Sequence, residues 1–423
     1  MHDYEITVDG ISKIEGHADL YLKVRNDKVE NVQLRVNETK RYYTTAVEGK
    51  PCLTMPGQMS RICGTCSIAH MTAAISAVEN ALSVQPSTQT MLLRKLTMNA
   101  LNIRDHTMHL YFFTLPDVLG KDSALEFDKE HESLLMDAFR IKEAGNKLCN
   151  LVAGRPVHPA MPTVGGFLKI PQKDDFKPVV EQLASVRPLM LRLLQQLTAT
   201  NLSFKRQRHY FGLTNNGYSF LPGILEGTPG TIVQPKDFLQ HLERVVLPYS
   251  TATFFDYEGY DYSVGALARM NLNSSGLTST AKQDCSEFLK RFPSNDSFDN
   301  NIAQAIEVVN CIDRTMELLD GADFKPEAPV KPSITKGSGI GVVEAPRGTL
   351  YYKVEIDDSI IKSCNVVIPT QQNSLSIERD IKEVVEENIH LDRDALALKM
   401  EQVVRAYDPC MSCATHFLRV HWI

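Results

Sequence analysis

Two Cys-x-x-Cys pairs sit near opposite ends of the chain, Cys63 and Cys66 in R-I-C-G-T-C-S-I-A-H and Cys410 and Cys413 in D-P-C-M-S-C-A-T-H. Each pair puts two sulfurs within reach of one metal ion, and four thiolates without a competing thiol nearby describe a soft-metal site. Cys66 and Cys410 are 344 positions apart, so only a fold that joins the two ends of the chain can use all four. A zinc ribbon closes over roughly 10 to 25 residues, and a zinc knot buried in a large bundle would have little left to stabilise. A thioredoxin-like site uses one pair after a short strand, and neither pair here follows such a unit. The expectation is one buried metal centre held jointly by both pairs.

The other five of the nine cysteines, Cys52, Cys149, Cys285, Cys311 and Cys364, are scattered singly and read as core thiols. This usage fits a reducing compartment better than a disulfide framework. With 423 residues, 43% of them hydrophobic and 23% charged, the chain can bury a large core. A net charge of -6 without any Lys/Arg run excludes a nucleic-acid footprint. No window approaches the roughly 18 to 20 apolar residues of a membrane span, and M-H-D-Y-E-I-T-V is not an export signal.

Period-2 alternation over residues 4–36 predicts a hairpin or small sheet. Helical spacing predicts long helices over 67–82 and 89–115, the first starting directly after the first cysteine pair. A Pro/Gly loop at 154–166 then precedes helical stretches near 176–206, 235–247 and 298–320, with Pro188 kinking or bounding one of them. Residues 321–347 read as an irregular loop, Thr349–Ile356 and Ile360–Ile368 as a hairpin, and 391–406 as a helix stopped by Pro409. One α+β domain, mainly α, is the simplest partition: strand-rich over 1–50, mainly helical over 51–320, with loop, hairpin and metal-binding segment over 321–423. Its architecture is expected to be a central long-helix bundle with small peripheral antiparallel sheets.

The flanks of the cysteines sharpen this reading. Together with K-I-E-G-H at 13–17, D-H-T-M-H at 105–109, the H-P…V-G-G loop at 158–166 and E-A-P-R-G at 344–348, they resemble the large, catalytic subunit of nickel-iron hydrogenases, in order along the whole chain. The resemblance implies that fold, and heterolytic splitting of H₂ into protons and electrons. It implies that Cys63, Cys66, Cys410 and Cys413 ligate nickel, that Cys66 and Cys413 also bridge to iron, and that one carbon monoxide and two cyanides complete the iron.

By the same resemblance Cys410 is the first proton acceptor and Glu15 relays the proton outward. Arg347, next to Pro346, would be the guanidinium over the vacant metal position, held by Asp105 and Asp408. His70, four residues after Cys66 on the same helix face, would hydrogen-bond a bridging sulfur. Read without the cysteines, Glu15 would be an exposed strand-end carboxylate, Arg347 a loop salt-bridge residue and His70 a core histidine.

The sequence also departs from the family. Many members carry R-G-F-E before the first pair, its glutamate binding magnesium near the C-terminus; here R-Y-Y-T puts Thr44 at that position. His416 remains as the C-terminal ligand, with Glu38 or Glu48 as substitutes for the missing carboxylate. Members are commonly cut after the matching histidine, yet F-L-R-V-H-W-I follows His416 here, a tail apolar enough to be expected to pack. No clustered cysteines remain for an iron-sulfur relay, and no G-x-G-x-x-G follows a strand. Electrons must therefore leave through another chain, and the resemblance implies that this is a small iron-sulfur subunit, in a cytoplasmic complex linked to NAD(P), ferredoxin, a deazaflavin or a disulfide reductase. The rival readings are a redox-inactive relative, which would have lost the cysteines, and a zinc-stabilised scaffold.

Overall fold

The computed structural model describes residues 3–129 and 131–415. Near the N-terminus, β1 (Tyr4–Val8), β2 (Ala18–Arg25) and β3 (Lys28–Val36) form an antiparallel meander. In β2 the alternation Ala18, Leu20, Leu22, Val24 faces inward without a break, as period-2 geometry requires. The helical centre follows: α1 (Ser67–Ala81), α2 (Thr88–Met108), α3 (Glu132–Ala153) and α4 (Lys177–Thr198). Ser87 caps α2 by accepting from Thr90 N. Past Met108 the chain widens into a π-helical stretch, His109–Thr114, so the expected helix to residue 115 is continuous but not uniform. Pro188 lies inside α4 and does not end it.

A small sheet is built from β4 (His209–Thr214), β5 (Ile224–Gly227), β6 (Thr231–Val233) and the short strand Tyr262–Ser263. The helix expected over 235–247 is absent. A 3₁₀ turn, Phe238–Gln240, leads into β7 (Leu242–Val246), paired with β8 (Thr253–Tyr257). The cross-strand pair Val245–Phe254 explains the choice, because a β-branched residue opposite an aromatic one favours the pleated surface. Likewise the helix expected to residue 206 stops at Thr198.

Helix α5 (Ala266–Asn273) and the long α6 (Asp299–Leu319) return to the centre, where α6 packs on α2, α4 and α5. Part of the expected irregular loop is a strand: β9 (Gly337–Ala345) pairs with β10 (Gly348–Asp357), which pairs with β11 (Ile360–Val367). Glycines conceal this strand in the sequence, and packing explains them. A Cβ on Gly337, Gly339 or Gly341 would stand 2.0, 2.2 or 2.1 Å from the carbonyl oxygens of Ala81, Ala77 and Ala73. Every second residue of β9 is thus laid against every fourth residue of α1, backbone on backbone. The helix that starts at the first cysteine pair is thereby fixed to the strand that leads to Arg347.

Two further helices, α7 (Pro369–Glu387) and α8 (Arg393–Ala406), precede the short α9 (Met411–Ala414). The main core cluster runs from Val47 to Cys413, and the N-terminal sheet packs with α7 and α8 in a second one. This mainly helical α+β arrangement matches the expected class. His416 and the 417–423 tail lie outside the described residues.

Candidate metal centre

The two cysteine pairs meet. Cys63 begins the turn before α1, Cys66 is its N-cap residue, and Cys410 and Cys413 open and occupy α9. The sulfur-to-sulfur distances are 3.5 Å for Cys63–Cys410, 3.9 Å for Cys66–Cys410, 3.0 Å for Cys66–Cys413 and 2.7 Å for Cys410–Cys413. All four Sγ atoms lie within 4.8 Å of one another, and all four cysteines are buried. Hydrogen bonds from Cys410, Cys413 and Cys66 pull the Cys63 thiol well below its ordinary value, while burial pushes Cys410 and Cys413 well above theirs. A cluster with its protons in such conflict is relieved by a soft cation, which replaces several protons at once.

Glu15 reaches the cluster from the N-terminal segment. Its Oε2 stands 2.9 Å from Cys410 Sγ and accepts from Ser412 N at 3.3 Å, while Ser412 Oγ donates to Oε1. Met411 N donates to Glu15 O, so backbone as well as side chain joins the two segments. Asp117 secures both from behind, paired with Lys13 at 2.8 Å and with Arg405 at 2.6 Å. Burial raises the affinity of Glu15 for a proton, and the negative Cys63 sulfur adds to it.

Arg347 forms the tip of the β9–β10 hairpin: Ala345 pairs with Gly348, leaving Pro346 and Arg347 as a two-residue turn. Its Nη1 donates to Asp105 at 2.7 Å and its Nη2 to Asp408 at 2.9 Å. Burial works against this charge, but the two carboxylates outweigh it and hold the guanidinium well above its ordinary value. Arg347 Nε is buried with no partner among the described residues. Arg347 lines the same cavity as Cys66, Cys410 and Cys413, together with the apolar Leu350 and Ile368. His70 Nε2 lies 3.6 Å from Cys413 Sγ, and its Nδ1 lies 2.7 Å from Tyr352 Oη.

Several residues that sequence reasoning did not single out set these positions. Arg104 donates to Thr65 O, between the first two cysteines, and to Pro156 O in the Pro/Gly loop. Gln304 donates to Asp408, and its Oε1 faces His109 Nδ1. At the head of α7, Thr370 accepts from Cys410 N, Gln371 donates to Ala414 O and Gln372 to Thr349 O. The available signal was a run of polar residues, P-T-Q-Q-N-S, opening an otherwise amphipathic helix. Of the residues weighed for magnesium, Thr44 is buried, Glu38 accepts from His17 N and lies 2.9 Å from His17 Nδ1, and His416 lies outside the described residues.

Residues 43–147 and 248–416 match the family model described as nickel-dependent hydrogenase. The chain belongs to the nickel-dependent hydrogenase family. Both cysteine pairs lie inside the matched segments. The alpha subunit of sulfhydrogenase 1 from Pyrococcus furiosus is 28% identical over 98% of each chain. A component of the F420-non-reducing hydrogenase vhc from Methanococcus voltae is 29% identical over 97% of this chain and 95% of its own. Among solved structures, an NAD+-reducing [NiFe]-hydrogenase in the H2-reduced state superposes with a TM-score of 0.87 at 22% identity, covering 98% of this chain and 99% of that one. The Ni-Fe-Se hydrogenase of D. vulgaris Hildenborough gives 0.80 at 20% identity, covering 98% and 100%. The fold is therefore that of a hydrogenase large subunit. No helix among the described residues is long and apolar enough to cross a membrane.

Proposed function

We propose that this chain is the catalytic subunit of a nickel-iron hydrogenase that interconverts H₂ with protons and electrons and passes the electrons to an iron-sulfur small subunit. The observation that carries this reading is the convergence of four buried sulfurs with a carboxyl in hydrogen-bond reach of one and a clamped guanidinium beside them. Cys63, Cys66, Cys410 and Cys413 would hold nickel, Cys66 and Cys413 would share iron, and one carbon monoxide and two cyanides would complete the iron. When bound, this centre supplies the open coordination position and the change of oxidation state that splitting H₂ requires.

The chain's own groups handle the proton and the charge. The Cys410 sulfur takes up a proton and hands it to the Glu15 carboxylate across 2.9 Å. Ser412 keeps that carboxylate in line, and its raised proton affinity suits a group that must load and unload near neutrality. Arg347, fixed by Asp105 and Asp408 at the tip of its turn after Pro346, presents a permanent positive charge to the cavity and steadies anionic ligands there. His70 orients the Cys413 sulfur. Magnesium has no part in the proposal.

Among the described residues these four cysteines are the one group suited to a metal ion, so electrons must leave through another chain. Both relatives named above are single components of larger hydrogenases, which supports a small iron-sulfur partner and further electron-transfer subunits in a cytoplasmic complex. The test is isotope exchange: the purified complex under D₂ in H₂O is expected to release HD. A complex that contains nickel and iron yet forms no HD would contradict the proposal.

A further inference from the structure

We infer that Arg269, seated on Glu307 and Glu344, is a positioning residue that fixes where the Arg347 guanidinium stands; the inference rests on the role proposed above for Arg347. Arg269 lies on α5 and is 3% exposed. It uses all five of its N–H donors. Nε and Nη2 fork onto Glu307 at 2.6 and 2.7 Å, and Nη1 donates to Glu344 at 2.8 Å. The remaining two donate to Ala345 O at 3.0 Å and Pro346 O at 3.1 Å, the carbonyls of the two residues directly before Arg347.

Glu307, on α6, has a second duty. It also accepts from Tyr218 Oη and lies 2.8 Å from His106 Nε2, the residue after Asp105. One buried carboxylate therefore ties the turn that carries Arg347 to the helix that carries its partner Asp105. Glu344 braces the turn from its other side, accepting from Leu213 N at 2.7 Å and Thr349 Oγ1 at 2.6 Å. At the head of α5, Gly265 lets the helix approach: a Cβ there would stand 3.2 Å from Arg347 O. Besides satisfying the buried guanidinium, the two hydrogen bonds to these carbonyls hold the backbone directly before Arg347 in place. Lysine at 269 carries three donors and cannot span the four groups that the planar fork reaches.

The experiment compares purified complexes carrying Arg269→Lys, Arg347→Lys and both substitutions. Arg269→Lys is expected to keep nickel and iron at wild-type content while HD formation per nickel falls about a hundredfold. The double variant is expected to be no slower than Arg347→Lys alone, because both act on one group. Infrared bands of the diatomic ligands are expected to shift in the same direction in both single variants. Losses that multiply in the double variant, or unshifted bands with wild-type turnover in Arg269→Lys, would overturn the inference. Where Arg269→Lys does not assemble, Tyr218→Phe removes one hydrogen bond onto Glu307 at nearly constant volume. It is expected to shift the bands by less in that same direction, and unshifted bands would again overturn the inference. A wild-type complex without such bands would instead sink the nickel-iron reading, so the two failures are distinct.

Discussion

The Glu15 carboxylate stands 2.9 Å from the sulfur of Cys410, a residue 395 positions away in the chain. This contact is the first link of the proton route proposed above. Glu15→Gln preserves the shape and the hydrogen bond from Ser412 N but cannot carry a proton as a carboxyl does. Nickel and iron are expected to remain bound while HD formation under D₂ falls by about a thousandfold, within the range of general acid–base contributions. Exchange at the wild-type rate would remove Glu15 from the proton route.

Arg347→Lys replaces a planar fork that spans Asp105 and Asp408 with a point charge that reaches one of them. The charge remains, but its place does not. Turnover is expected to fall about a hundredfold with metal content unchanged. Activity assays paired with elemental analysis check this, and wild-type turnover would refute the role.

Asp408 has a positive φ of 50°, a conformation in which asparagine is tolerated and alanine is not. Asp408→Asn therefore isolates the lost charge, and Asp408→Ala adds backbone strain. Breaking one side of a buried pair is expected to cost about 3 kcal/mol, at the low end because Asp105 still holds Arg347. The alanine variant is expected to lose about 1 kcal/mol more. Unfolding midpoints of the two variants, in that order below wild type, are the check.

Glu378 on α7 accepts from Leu34 N and Tyr249 Oη, and burial pushes its carboxyl up from 4.5 to about 7. The folded protein thus holds a proton that the unfolded chain releases between these values. Stability from this group is complete below about pH 4.5 and is lost as pH rises toward 7, a matter of about 3 kcal/mol. Glu378→Gln, which stays neutral, is expected to raise the unfolding midpoint relative to wild type at pH 8 and not at pH 4.5. Equal differences at both values would show that the carboxyl does not titrate on folding.

How far the sequence was legible follows from where the information lies. The cysteine pairs, Glu15 and the R-G after Pro346 are short local strings, and the alternation in β2 and the spacing in α1 repeat a single period, so each could be read without neighbours. Strand β9 could not, because its glycines at 337, 339 and 341 make sense only against Ala81, Ala77 and Ala73 of a distant helix. Helices α3 and α7 were not singled out. In α7 the buried face opens with Thr370, Gln371, Gln372, Asn373 and Ser374, polar groups that look solvent-facing until their tertiary partners are known. Arg269 and Glu307 escaped for the same reason: a buried ion pair announces itself only through the fold that buries it.

The central claim is that both ends of the chain jointly cage a nickel-iron centre. Elemental analysis combined with infrared spectroscopy of the purified complex tests it most directly. One nickel per copy of this chain, iron in excess of it because the small subunit's clusters add their own, and stretching bands of metal-bound carbon monoxide and cyanide are the predicted result; zinc in place of nickel and a spectrum empty of such bands would contradict it.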